Sequence, residues 1–200
     1  MSNIVGILDY GTIGNIYNIE KVLKKLNIKS LVISNKEDFE KVDKLILPGV
    51  GTFEDAIQEL KKNDMIDSLI TTINNKPTLG ICLGMQILSS IGFENKETKG
   101  LNIINATVER LNTKDLLPHL GFNSIQSISD NILFQGIENS EFYFMHSFEV
   151  KNNENVIATS MYNDYKFTAA IQNNNTFGVQ FHPEKSREAG IKLLNNFIQL

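Results

Sequence analysis

Cysteine is nearly missing from this chain of 200 residues: Cys82 is the only one. A lone cysteine excludes an internal disulfide and any metal site built from several thiolates. No window of 18 apolar residues occurs, so no segment reads as a membrane-spanning helix. There is no basic face or stripe, and the net charge is -4 with lysines and acids interspersed, which argues against nucleic acid as a partner. The first residues carry neither a basic segment nor a long apolar stretch and run straight into a strand pattern, so they do not read as a signal peptide. A reducing, cytoplasmic setting is expected, where a free thiol survives.

What remains is an ordinary globular composition, with 42% hydrophobic and 21% charged residues. The length suits a single domain over 1–200 with a full core. Apolar runs of strand length at 4–8, 30–33, 44–47 and 78–81 alternate with helical spacing at 16–26, 53–60, 65–73 and 83–90. This pattern predicts an α/β fold of flavodoxin-like type: a mostly parallel central sheet flanked by helices. The second half reads as successive strands, at 102–111, 121–128, 142–150, 155–160, 166–171 and 176–181. They predict an added antiparallel section, with a hairpin tip at Asn173-Asn174-Asn175 and a closing amphipathic helix through Ile191, Leu194, Phe197 and Ile198.

The cysteine sits in Gly80-Ile81-Cys82-Leu83-Gly84-Met85-Gln86. A strand enters it and a helical pattern leaves it, as at a nucleophile elbow with sulfur in place of oxygen. Such a turn needs small residues beside the nucleophile, because a Cβ there strikes the neighbouring backbone. A core cysteine has no use for the flanking glycines. A sulfur nucleophile needs a base, a group to orient that base, and donors for the developing oxyanion. His182 ends an apolar strand in Phe181-His182-Pro183-Glu184, and Glu184, two residues on, is placed to hold its far nitrogen. His119 follows Pro118 with no acid nearby and reads as a structural or interface histidine. His146 lies in an aromatic strand and reads as a core or interface histidine. The backbone N–H of Leu83 is one oxyanion donor. The glycine loop Pro48-Gly49-Val50-Gly51 supplies the second, from Val50 or Gly51; no lysine follows it as in a phosphate-binding loop. Gln86, one helical turn past Cys82, is placed to fix an amide substrate. The residues require no metal and no cofactor.

Taken together, Ile7-Leu8-Asp9-Tyr10-Gly11, Leu47-Pro48-Gly49-Val50-Gly51-Thr52-Phe53, the Cys82 elbow, Pro118-His119-Leu120-Gly121-Phe122-Asn123, Phe144-Met145-His146-Ser147 and Phe181-His182-Pro183-Glu184-Lys185-Ser186 resemble the class I, triad-type glutamine amidotransferases over essentially the whole chain. Met85, where many sister families carry histidine, points to the branch that serves histidine biosynthesis. The resemblance implies a glutaminase with Cys82 as nucleophile, His182 as acid and base, and Glu184 as its orienter. It implies substrate contacts from Gly49, Gly51, Gln86, Ser147 and Phe148. It also implies a heterodimer with a cyclase subunit built as a (β/α)₈ barrel, with Asn15, Phe122 and Lys185 near that partner. Phe122 stands where the family usually has tryptophan, Phe148 where it often has tyrosine, and the loop over 11–15 is one residue longer than usual. These departures leave a second acceptor open, a sugar amidotransferase of surface-polysaccharide synthesis. From the residues alone, a flavodoxin-like binding module with an inert cysteine and a cysteine hydrolase acting on peptides or esters also stand.

Overall fold

A computed structural model describes residues 4–11, 15–128, 130–138 and 140–200. The first half forms β1 (Ile4–Leu8), α1 (Ile16–Lys25), β2 (Lys29–Ile33), β3 (Lys44–Leu47), α2 (Phe53–Lys62), α3 (Ile66–Asn75) and β4 (Thr78–Ile81), close to the ranges read from periodicity. Local signals set these boundaries. Thr52 caps α2 by accepting the Asp55 N–H at 3.2 Å, with Glu54 and Asp55 in the first turn and Lys61 and Lys62 in the last. Strands β3 and β4 are buried at every residue, which is why they read as continuous apolar runs.

After β4 come α4 (Leu83–Gln86), β5 (Ser89–Gly92), β6 (Thr98–Lys99), β7 (Ile104–Arg110), β8 (His119–Ser127), β9 (Glu141–His146), β10 (Phe148–Lys151), β11 (Val156–Tyr162), β12 (Tyr165–Asn173), β13 (Thr176–Val179) and α5 (Arg187–Ile198). Two expectations are corrected here. The helix after Cys82 does not run to residue 90. It stops at Gln86, because the carbonyls of Ile87 and Leu88 are taken by the N–H groups of Leu101, Ile103 and Ile104 and the chain becomes β5. The run 142–150 is not one strand. It breaks at Ser147, where the chain leaves one sheet for another.

The main sheet has the order β2-β1-β3-β4-β13-β12-β11-β8-β9. Its first five strands are parallel; β12, β11, β8 and β9 add on antiparallel. The last strand of the chain, β13, returns to pair in parallel with β4, Val179 opposite Ile81. That pairing is the decisive one for function, since it sets the residues after β13 beside those after β4. Four further strands form a small sheet, β10-β7-β5-β6. Apolar side chains pack on both faces of the main sheet. Ile19, Leu23, Leu193, Leu194 and Phe197 fill one layer, while Phe53, Ile57, Leu60, Leu69 and Ile73 fill the other. Leu193, on the closing helix, is fully buried beside them.

Candidate active site

In open α/β sheets, ligands gather beyond the carboxyl ends of the parallel strands. Cys82 stands at the end of β4, its N–H donating to the Val179 carbonyl at 2.7 Å. Its φ is +51°, a conformation a residue with a side chain adopts only when its surroundings enforce it. Gly84 shows the enforcement: a Cβ there would lie 1.9 Å from the Leu47 carbonyl oxygen, so α4 and β3 touch backbone to backbone. The turn is therefore the strained elbow expected from the glycine spacing, and Cys82 is no ordinary core thiol.

His182 follows β13, anchored by its N–H to the Tyr143 carbonyl at 2.8 Å. Its Nδ1 lies 2.8 Å from Glu184 Oε1, with both side chains fully buried. Residues 183–185 form a single 3₁₀ turn, and this turn brings Glu184 back to the ring. The carboxylate accepts, so Nδ1 carries the proton, while Nε2 and Glu184 Oε2 meet no partner in hydrogen-bonding geometry among the described residues. Burial lowers the imidazole's pKa. The charge and hydrogen-bonding capacity of the Cys82 sulfur, and then Glu184, raise it more strongly, to about 10. The spare nitrogen thus belongs to the sulfur's surroundings, a hundred positions away in the chain.

A cleft of about 200 Å³ opens over the sulfur, lined by Val50, Gly51, Cys82, Leu83, Gln86, Glu94, Pro118, Met145, His146, Ser147 and Phe148. Val50, Gly51 and Leu83, the expected oxyanion donors, all reach it, as do Gln86, Ser147 and Phe148. Gly49 does not line it; it packs behind, where a Cβ would lie 2.4 Å from that of Leu83. The Gln86 amide nitrogen donates to the Phe148 carbonyl at 3.1 Å and to Gln180 Oε1 at 3.2 Å. Both of its hydrogens are engaged, which leaves Oε1 as the group Gln86 can offer a substrate.

Two residues of the site went unread in the sequence. Gln180, fully buried, donates from Nε2 to the Cys82 sulfur at 3.4 Å. Its signal was a polar residue in the apolar run leading to His182. Glu94 brings the one carboxylate among the lining residues, holding the Phe53 N–H with Oε2 at 2.7 Å. Nothing in its local sequence marks it. Of the residues expected at a partner face, Phe122 is 37% exposed and lies under the Arg187 guanidinium at 4.5 Å. Lys185 sits over the Tyr143 ring. Asn15 is buried, with no partner for its side-chain amide among the described residues. The lengthened loop falls at 12–14, outside those residues.

The other two histidines set an acid limit on stability. Burial lowers His119 to a pKa of about 4. His146 is lowered to about 3, chiefly by burial; the Phe148 carbonyl works against this, and His119 and His182 add to it. Both are neutral when folded and take up protons on unfolding, so the unfolded state binds more protons below the ordinary pKa of 6.5. Stability is expected to fall as the pH drops from about 6.5 toward 4, by about 1–2 kcal/mol per histidine between pH 7 and 5. His182 acts in the opposite sense: its contribution is complete below 6.5 and is lost as the pH rises through about 10. Urea unfolding at pH 7 and 5 checks this, and His119→Phe is expected to remove about half of the acid loss.

Sulfur on a strained strand-to-helix turn, an imidazole with its spare nitrogen toward it, and a buried carboxylate behind the imidazole form the arrangement that a thiol-dependent acyl transfer requires, at the end of a parallel sheet. Similarity to known proteins narrows this class. Residues 7–200 match the family model "Glutamine amidotransferase class-I". A protein of Campylobacter jejuni (strain RM1221), named imidazole glycerol phosphate synthase subunit HisH 1, is 40% identical, with 98% of this chain and 100% of that one aligned. Methanococcus maripaludis has a relative named subunit HisH 2 of the same enzyme, 41% identical with 98% of each chain covered. The chain belongs to the class I glutamine amidotransferase family. A solved structure, a glutamine amidotransferase of Thermotoga maritima, superposes with a TM-score of 0.68 over 100% of this chain and 85% of its own. At 17% identity, that likeness speaks for the fold alone.

Proposed function

We propose that this protein is the glutamine-hydrolysing subunit of an imidazole glycerol phosphate synthase and acts in histidine biosynthesis. The relatives that carry this name align end to end with it. The observation that carries the chemistry is the His182 imidazole, fixed through Nδ1 by Glu184 and open through Nε2 toward Cys82. In this reading the Cys82 sulfur attacks the side-chain carboxamide carbon of glutamine, and the carbonyl oxygen gains a negative charge beside the N–H groups of Leu83 and of Val50 or Gly51. His182 gives its Nε2 proton to the departing nitrogen, which leaves as ammonia, and a thioester to Cys82 remains. His182 then takes a proton from water as that water attacks the thioester. Glutamate and the thiol are the products. Gln86 Oε1 accepts from the carboxamide NH₂, and the free oxygen of Glu94 pairs with the substrate's α-ammonium.

The ammonia passes to a cyclase partner, a (β/α)₈ barrel bound as a heterodimer over the face that carries Phe122 and Lys185. The products there are imidazole glycerol phosphate and an aminoimidazole carboxamide ribotide. Leu120 and Phe122 project from one face of β8, 60% and 37% exposed, and give such a partner apolar surface.

Mixing the chain with a histidine-pathway cyclase is the test. A one-to-one complex and partner-dependent glutamate release are expected. Stable complex formation only with a sugar amidotransferase transfers the assignment to that acceptor, and partner-free hydrolysis of peptides or esters overturns it. Within the complex, Glu94→Gln is expected to raise KM for glutamine about tenfold or more, with a smaller change in kcat, because a charge-assisted hydrogen bond is lost. Steady-state kinetics of glutamate release read this directly.

A further inference from the structure

The mechanism leaves His119 and His146 without a role, although both are buried, at 2% and 5% exposure. They are direct cross-strand partners in β8 and β9. His146 Nδ1 lies 2.9 Å from the Phe148 carbonyl, and His119 Nδ1 lies 3.2 Å from His146 Nε2. The Asn123 amide nitrogen lies 3.0 Å from His119 Nε2 and also donates to the Met161 carbonyl at 2.8 Å.

The chemistry of the groups fixes the direction of this chain. A carbonyl only accepts, so His146 Nδ1 must carry the proton. Its Nε2 is then an acceptor when the ring is neutral, and His119 Nδ1 must donate to it. His119 Nε2 accepts in turn from Asn123. Burial keeps both rings neutral, as this order requires. The His119 ring is also clamped between Phe144, at 5.0 Å, and Tyr162, at 4.3 Å.

The end of the chain is a catalytic wall. The Phe148 carbonyl that receives His146 also receives Gln86. Residues 145–148 carry the backbone from the main sheet to the small one, and all four line the cleft over the sulfur. The Met145 carbonyl is 3.9 Å from Sγ. No strand ladder pairs Ser147, whose carbonyl accepts from the Leu111 N–H at 3.0 Å, and the bond from His146 to the Phe148 carbonyl adds a second tether to this crossing.

We propose that His146, held in one tautomer by His119, is a positioning residue that fixes the 145–148 wall and the Gln86 amide for the glutamine side chain. The proposal rests on the glutamine reading above. It assigns the pair no proton transfer to substrate.

The test uses the full chain and the chloroketone analogue of glutamine, with iodoacetamide as a thiol reagent that does not need the wall. Saturation kinetics of Cys82 labelling separate the affinity for the analogue from its maximal rate. His146→Leu removes the donor; His146→Asn restores one near the place of Nδ1; His119→Phe keeps the stacking but frees the His146 ring. Loss of one such bond is expected to weaken analogue affinity about tenfold in His146→Leu and His119→Phe, with His146→Asn within about threefold of wild type. The iodoacetamide rate is expected to stay within about twofold throughout, since the elbow is untouched. Unchanged affinity in His146→Leu overturns the proposal. So does His146→Asn no better than His146→Leu, or an equal fall with both reagents. If His146→Leu does not fold, as judged by circular dichroism, His119→Phe and the asparagine variant decide. Wild type that labels without saturation overturns the glutamine reading instead. Nitrogen NMR gives a second readout: His146 is expected as the Nδ1–H tautomer, and the Nε2–H form overturns the proposal.

Discussion

Replacing His182 with alanine is expected to cut glutamate release in the assembled enzyme by about a thousandfold or more, because the nucleophile and its base act as a unit. The size follows from what the imidazole does twice. In the proposed mechanism it protonates the departing nitrogen and later activates water, and Gln180, the other side-chain donor at the sulfur, cannot exchange a proton in this range. The same variant is expected to slow alkylation of Cys82 by iodoacetamide, since the cation that pairs with the sulfur is gone. Glu184→Gln separates orientation from charge. Its amide oxygen still accepts from Nδ1, so the ring keeps its place, but the negative charge that helps raise the imidazole's pKa is lost. About a hundredfold loss, with a shifted alkaline limb of the rate profile, is expected. Full activity in His182→Ala, measured with the partner present, would remove the base assignment.

The elbow at Cys82 and the His182–Glu184 pair were legible because their signals are local. The Gly80 and Gly84 spacing around Cys82, and Glu184 two residues past His182, are constraints a few residues long that express close approach and orientation. The parallel sheet was legible for the same reason, through runs such as 44–47 and 78–81 that are buried on both sides. What the sequence hid was decided by pairing between distant segments. Ile87 and Leu88 look helical until the 101–104 segment takes their carbonyls. The apolar run over 142–150 looks like one strand, because alternation does not record that Ser147 lies between two sheets. Glu94 enters the cleft only because β5 leads away from the elbow and α2 presents the Phe53 N–H to it. His119 reads as a structural or interface histidine and His146 as a core or interface one, and both are buried. Their line of hydrogen bonds toward Phe148 depends on the register of β8 against β9, which no spacing in either strand encodes.

The elbow should also be the point where a single methyl group does most harm. In Gly84→Ala the new Cβ would sit 1.9 Å from the Leu47 carbonyl oxygen and 2.7 Å from its carbon. These are backbone atoms at the end of β3, paired on both sides by β1 and β4, so no flexible side chain can yield. Either α4 lifts from the sheet or β3 is pushed aside, and both disrupt fully buried layers. A loss of about 3–5 kcal/mol is expected, at the upper end for overpacking because the obstacle is backbone. For a domain of this size that lowers Tm by about 10 °C. Any protein that survives folding should still be impaired, since β3 leads directly into the Val50–Gly51 wall of the cleft. Cys82 offers the converse. Cys82→Gly and Cys82→Ala both remove the sulfur and abolish hydrolysis, but only glycine adopts a φ of +51° without strain. The glycine variant is therefore expected to be more stable than the alanine variant by about 1 kcal/mol or more. Equal melting temperatures would mean that the turn stores no strain, and Gly84→Ala at wild-type stability would mean that the elbow is not the close backbone contact described.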